Sequence, residues 1–288
     1  MTALNSLAPF LLLCLSSSTS AARPAAPPQY PWLAAPVPAG QTVATRFPAP
    51  TGCQRVPVAA GSWGEWLRGL PLLPAGTRAR HYDGNLKTRQ EVVAGVVNID
   101  VGKQDLQQCA DAVIRLRAEY LFSQDPNKVH FHLTSGYDFW FSDYIAGKTF
   151  KVQGEEVSPA PKRTEAPTHE ALARYLIPTF GYAGTLSLSR ELRPVALVAV
   201  QPGDVLIHGG RPGHAVLVLD VAEHARTHQK YLLLAQSYMP AQNIHLLKNI
   251  EAGEPALRNT AWFALPGPQA AEFDTPEWTF ATSELGRF

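Results

Sequence analysis

An excess of charge of either sign is missing from this sequence: 25 Lys and Arg stand against 24 Asp and Glu, and charged residues make up only 17% of the chain. That balance excludes the basic surface of a nucleic-acid binder and the high net charge of a disordered chain. Cysteine is scarce as well. Three cysteines in 288 residues cannot supply a disulfide framework or a four-cysteine zinc site, although one can be a nucleophile and two can form a bridge. Glycine shows no collagen period. No apolar run approaches the roughly 20 residues that cross a bilayer.

What is present begins with a short apolar run, Phe10 to Leu15, followed by Ser16 to Ser20 and the small pair Ala21 and Ala22. This reads as a secretory signal over residues 1–22, cleaved near Ala22, so the mature chain is expected to be periplasmic or secreted with no transmembrane segment. Cys14 leaves with the signal, and Cys53 and Cys109 then face an oxidising compartment. Residues 23–50 hold eight of the chain's 25 prolines among alanines, the composition of an extended tether. A single domain is expected over 51–288, long enough to bury a core without disulfides.

Within it, Ser62-Trp63-Gly64-Glu65 has the capping-box pattern of a short helix that Pro71 closes. Asp83-Gly84 marks a turn, and Val92 to Asp100 fits the second arm of a hairpin. Asp105 can cap a helix running to about Phe122 with Leu106, Cys109, Val113, Leu116 and Tyr120 as its apolar stripe. His130 to Leu133 alternates as a strand, and Tyr137 to Pro167 looks like an insertion. Thr168 opens a helical region that Pro178 interrupts. From Val205 onward the pattern changes to short strands, at Val205 to Ile207, His214 to Val221, Tyr231 to Ser237 and Ile244 to Leu247. Helices followed by a β-meander predict an α+β fold with a closed or barrel-like antiparallel sheet.

The segment Gln201-Pro202-Gly203-Asp204-Val205-Leu206-Ile207, followed by Gly209-Gly210 and Pro212-Gly213-His214, resembles the core of papain-like cell-wall cysteine hydrolases of the NlpC and CHAP types. In those enzymes a Pro-Gly-Asp turn starts one strand and a glycine-rich loop delivers the catalytic histidine to the next. Their cysteine lies upstream at a helix N-terminus, the form of Gln108-Cys109-Ala110-Asp111. A broader resemblance, carried by Gly61 to Arg68, Asp100 to Asp111, Arg115 to Leu121, Tyr182 to Ser187 and Leu234 to Gln242, is to an exported bacterial family labelled domain of unknown function 4846. It brings no established activity.

These readings give Cys109 as nucleophile, His214 as base and Gln236 as the residue that orients the imidazole. Pairing Asp220 with Lys230 would set His214 opposite Gln236 on one sheet face, and a slip of one residue would separate them. The N–H of Cys109 with the side chain of Gln108 would form an oxyanion hole, and Trp140 would line the substrate groove. The substrate would be a cell-envelope peptide or peptidoglycan amide, with no nucleic acid and no cofactor. Two other roles stay open for Cys109, an inert core thiol and a disulfide with Cys53. A non-catalytic envelope-binding domain stays open for the whole chain. Trp63 and Trp66 read as core. His130 and His132 share a strand face and could hold a metal with His81 or His208, but with no carboxylate seen at ligand spacing, no metal site is expected.

Overall fold

A computed structural model describes residues 30–251 and 253–288. The expected signal segment and Cys14 lie outside the described residues. Residues 30–50 are no free tether: Tyr30 and Trp32 pack against Trp66, with ring centroids 5.1 and 5.9 Å away, and the Tyr30 hydroxyl donates to Trp66 O at 2.9 Å. Short helix α1 (Val43–Arg46) buries Val43 completely.

Strand β1 (Cys53–Arg55) precedes α2 (Trp63–Arg68), which Ser62 caps by accepting Glu65 N–H. After it, β2 (Val93–Val96) pairs with a late strand at His245, so the anticipated hairpin from Tyr82 does not form beyond the small bridge Arg80 to Leu86 around Gly84. Helix α3 (Cys109–Gln124) starts three residues later than its apolar pattern suggests. Asp105 is otherwise engaged: its Oδ1 accepts Ala241 N–H at 2.6 Å and Gln108 Nε2 at 3.1 Å. The Asp111 carboxylate accepts Gln108 N–H instead, at 3.1 Å.

The expected insertion is ordered. Strands β3 (His130–His132) and β4 (Asp138–Trp140) form a hairpin, followed by α4 (Phe141–Ile145) and a second hairpin, β5 (Lys148–Gln153) with β6 (Glu156–Pro161). Helix α5 (His169–Tyr182) begins at its Thr168 cap and continues through Pro178, and α6 (Thr185–Glu191) follows. Then come β7 (Arg193–Pro194), β8 (Val205–His208), β9 (His214–His224), β10 (Lys230–Gln236), β11 (His245–Leu247) and β12 (Trp262–Ala264), the hairpin β13 (Glu272–Thr275) and β14 (Trp278–Ala281), and β15 (Leu285–Arg287).

The α+β class holds, but the sheet is not a closed barrel. Among the described residues its strands run β2-β11-β10-β9-β8-β15-β7, with β1 pairing the far part of β9 and β12 pairing β10. Alternation along the central strands sorts the core into two layers. Ala215, Leu217, Leu219, Leu233 and Ala235 face α3 and the other helices, whereas Val216, Val218, Leu232 and Leu234 face Phe273, Phe280 and Leu285.

The register between β9 and β10 differs from expectation, and a bulge decides its consequence. Near the turn Lys230 lies opposite Glu223 and Leu233 opposite Asp220. Continued without change, that odd offset would put His214 and Gln236 on opposite faces. An irregularity between Leu233 and Leu234 absorbs one residue, so Leu234 meets Val218 and Ala235 meets Leu217. Parity is restored, and both side chains point to the face covered by the β13–β14 hairpin.

Two ion pairs brace this frame. Asp220, fully buried, accepts Arg55 Nε at 2.5 Å and Arg68 Nε at 2.7 Å. Asp204, from the Pro-Gly-Asp turn, takes Arg287 at 2.5 and 2.7 Å and caps Gln201 N–H at 2.8 Å. The preceding Gly203 has φ +97°, and a Cβ there would stand 2.1 Å from the Trp63 ring, so glycine is required both for conformation and for space.

Candidate active site at the entrance of the central strand

Strand β9 begins where α3 begins to pack on it. The loop ahead of it leaves no room: a Cβ on Gly213 would fall 2.2 Å from Thr185 Oγ1 and 2.6 Å from Gly210 O. This tight approach seats the strand entrance against α6 and sets the backbone of residues 213 to 215 beside the N-terminus of α3. Cys109 is the first residue of that helix, and its Sγ lies 3.9 Å from Gly213 O, the carbonyl next to His214. Among the described residues no hydrogen bond joins Cys109 directly to His214. The thiol comes to the strand from the helix side, and the imidazole points to the other face, where the Tyr238, Trp278 and Phe280 rings stand 5.0, 5.3 and 6.0 Å from it.

His214 and Gln236 do meet. Both are buried, and His214 Nε2 is 2.8 Å from Gln236 Oε1. The next contact fixes which atom donates. Gln236 Nε2 donates to Glu277 Oε2 at 2.6 Å, and a carboxylate only accepts, so the amide oxygen must face His214 and the histidine must carry its proton on Nε2. Lys87 Nζ holds the same carboxylate at 2.7 and 2.9 Å and lies 5.6 Å from the Tyr238 ring centroid. The chain Lys87, Glu277, Gln236, His214 therefore fixes the neutral tautomer whose Nδ1 carries the free lone pair. Among the described residues that Nδ1 has no hydrogen-bond partner.

Burial shapes the charges. Desolvation pushes the His214 pKa down to about 4, against which the Gln236 hydrogen bond pulls upward while Lys87 adds to the lowering. Desolvation raises the Cys109 thiol, Asp111 adds to that, and the N–H groups of Ala110 and Ala215 act the other way. At neutral pH the resting pair is a thiol and a neutral imidazole. Asp111, buried beside the helix start, is itself raised to about 8 by desolvation, so it is largely protonated under the same conditions.

The family model described as a domain of unknown function (4846) matches residues 43–287. The chain belongs to that family. No curated protein and no solved structure matches it. For this member of the 4846 family the match takes in Cys109, His214 and Gln236 together with Lys87 and Glu277, and it starts inside the stretch first read as a tether.

The remaining expected site residues go elsewhere. The Gln108 side chain is turned to Asp105, and Trp140 stacks on His130 with centroids 4.0 Å apart. Cys53 and Cys109 are both free. They sit at opposite ends of β9, Cys53 paired with His224 and Cys109 against Gly213, a separation of about 30 Å of strand, so the bridge left open in the sequence does not exist. Trp66 is buried core as expected, stacked with Trp63 at 5.2 Å. His208 pairs with Glu284 at 2.5 Å and His81 bridges to Gln242, so neither joins His130. A cavity of about 630 Å³, lined by Arg46, Tyr231, Lys248 and Trp262 among others, opens near Thr51 and includes none of the relay residues. Sequence reading missed Lys87 and Glu277, which lie 190 positions apart and belong to no recognised pattern.

Proposed function

We propose that this member of the 4846 family is an exported cysteine hydrolase of papain-like type, related in its working parts to the NlpC and CHAP enzymes, cutting an amide or peptide bond of the cell envelope. One observation carries the proposal: the relay from Glu277 through Gln236 that leaves His214 with Nδ1 as a free base, on the residue next to the carbonyl that Cys109 touches.

In this reading the thiol leaves Gly213 O for His214 Nδ1 as substrate enters. His214 takes the thiol proton while sulfur attacks the carbonyl carbon, and the imidazolium then hands that proton to the leaving amine. Water, deprotonated by the same Nδ1, hydrolyses the thioester and frees the thiol. Gln236 keeps the ring in plane and accepts the Nε2–H hydrogen bond throughout. The N–H of Cys109 at the start of α3 supports the developing oxyanion, aided by the helix dipole. Because the resting pair is neutral, His214 acts as a base during attack and not as the partner of a standing thiolate.

The test is hydrolysis of purified peptidoglycan fragments by the mature chain, followed by mass spectrometry. Cys109→Ala is expected to lose at least ~10³-fold in rate with its unfolding midpoint unchanged. Full activity in Cys109→Ala would sink the proposal. A second reading, a non-catalytic envelope-binding domain, is favoured by the buried, raised thiol. It predicts binding to sacculi that Cys109→Ala leaves intact, with no product formed.

A further inference from the structure

Away from the strand entrance, the β3–β4 hairpin presents a second constellation. Its register sets His130 opposite Trp140 and His132 opposite Asp138, with Phe131 and Phe139 paired between them. The two phenylalanines are buried in the core, so alternation turns His130, His132, Asp138 and Trp140 together to the outer face. There the potential ligand atoms of His130, His132 and Asp138 all lie within 4.8 Å of one another.

The surroundings of these three side chains orient them. His130 Nδ1 is 3.4 Å from Lys128 O, and His132 Nδ1 is 3.4 Å from Glu191 Oε2. Both contacts draw the ring proton to Nδ1 and leave Nε2 as the lone-pair nitrogen. Trp140 Nε1 donates to Asp138 Oδ2 at 2.7 Å, leaving Oδ1 turned toward His132 Nε2, 3.9 Å away. The indole also stacks on the His130 ring, 4.0 Å and 9° from parallel, which fixes its plane. Imidazoles anchored through Nδ1 by a carboxylate or carbonyl are the usual outer support of histidine ligands. Glu191 adds negative charge without occupying a ligand position.

We infer that His130, His132 and Asp138 form a binding site for a divalent transition metal of the zinc class, with three protein ligands and at least one open position. Two imidazoles and one carboxylate suit zinc and its neighbours and not calcium or magnesium. Zinc bonds of ~2.1 Å space tetrahedral donors by about 3.4 Å, so the ligand set closes by up to about 1.4 Å from its 4.8 Å limit through rotation of half-exposed side chains. The sequence reading sought the third ligand along the chain or at other histidines, whereas the hairpin supplies Asp138 from the facing strand. The inference stands independently of the hydrolase proposal.

The test uses the full mature chain, with any affinity tag removed, titrated calorimetrically with zinc chloride and spectroscopically with Co²⁺. One zinc per chain is expected. His130→Ala and Asp138→Asn should each weaken binding at least tenfold, and Glu191→Gln about tenfold. Cys109→Ser and His214→Ala should leave it unchanged. Metal-free unfolding midpoints of the variants confirm folding, since the His132 and Asp138 side chains are 41% and 45% exposed. Absence of saturable binding, affinity indifferent to His130→Ala, or a thiolate charge-transfer band with Co²⁺ would each overturn the assignment.

Discussion

Toward the Cys53 end of β9, Asp220 is held between the Arg55 and Arg68 guanidiniums, which spend further N–H groups on Phe47 O and Val56 O. At the His214 end, Glu277 is held by Lys87, but its second oxygen is also tied to Gln236 and through it to an imidazole whose other nitrogen has no hydrogen-bond partner among the described residues. Both are buried ion pairs, one at each end of the same strand, the second reaching it through Gln236. The first is closed, its carboxylate satisfied by two guanidiniums whose further N–H groups end on backbone carbonyls. The second passes its constraint on to a titratable ring. A buried carboxylate serves stability when its partners end the chain of hydrogen bonds, and serves chemistry when they leave a base oriented at its end.

Removing the closed pair should have the largest effect on stability. Asp220→Ala leaves two guanidiniums facing a buried void and is expected to cost about 3–5 kcal/mol, read as a lower urea midpoint. A cost under ~1 kcal/mol would erase the distinction between the two ends. In the open relay, Glu277→Gln frees the Gln236 amide to turn over and removes the bias toward the Nε2 proton. Hydrolysis is expected to fall about 10²-fold, or roughly 2.7 kcal/mol in the barrier, more than any loss of substrate binding. Unchanged turnover would mean that Glu277 is as structural as Asp220.

The pH dependence of folding sharpens the contrast further. His214 and His245 are lowered by burial to about 4 and about 3, so between pH 4 and 6.5 the unfolded chain binds two protons that the folded chain does not. Asp111, raised to about 8, works the other way with one proton. The net uptake on unfolding is about one, so these groups make stability rise with pH across that window by ~1.4 kcal/mol per unit. Above pH 6.5 only the Asp111 contribution remains, and it declines toward pH 8. His245→Phe should flatten the rise, and a slope identical to wild type would contradict the assigned burial of charge. The smallest effect is on labelling. In a Cys53→Ser background, iodoacetamide should alkylate Cys109 slowly at pH 7 and faster only as pH passes 9, because the thiol is raised.

The elements that position this corner were legible in the sequence where local pattern and final packing agree. The Cys109 helix and the β8 to β10 meander follow from apolar periodicity, and the Gly-rich approach to His214 follows from glycine's allowed geometry. The pairing of His214 with Gln236 was anticipated through a register that is not the one adopted. It survives because β9 carries an extra residue, Leu219, opposite the Leu233–Leu234 step, which corrects the parity, and nothing in an apolar run marks where a bulge falls. Glu277, Lys87 and Asp138 were not legible as partners because each reaches its site through strand pairing or packing that spacing along the chain does not encode. The packing of Tyr30 and Trp32 on Trp66 was hidden by the prolines around them.

The claim at the centre of this account is that the relay holds His214 neutral, protonated on Nε2, with the lone pair on Nδ1, the state that the proposed hydrolase requires. Nitrogen-15 chemical shifts of the His214 ring, followed through a pH titration, read that state directly. The account predicts a neutral, Nε2-protonated ring from pH 5 to 8 that titrates near pH 4. A ring protonated on Nδ1, or an imidazolium persisting at pH 7 beside a thiolate, would contradict it.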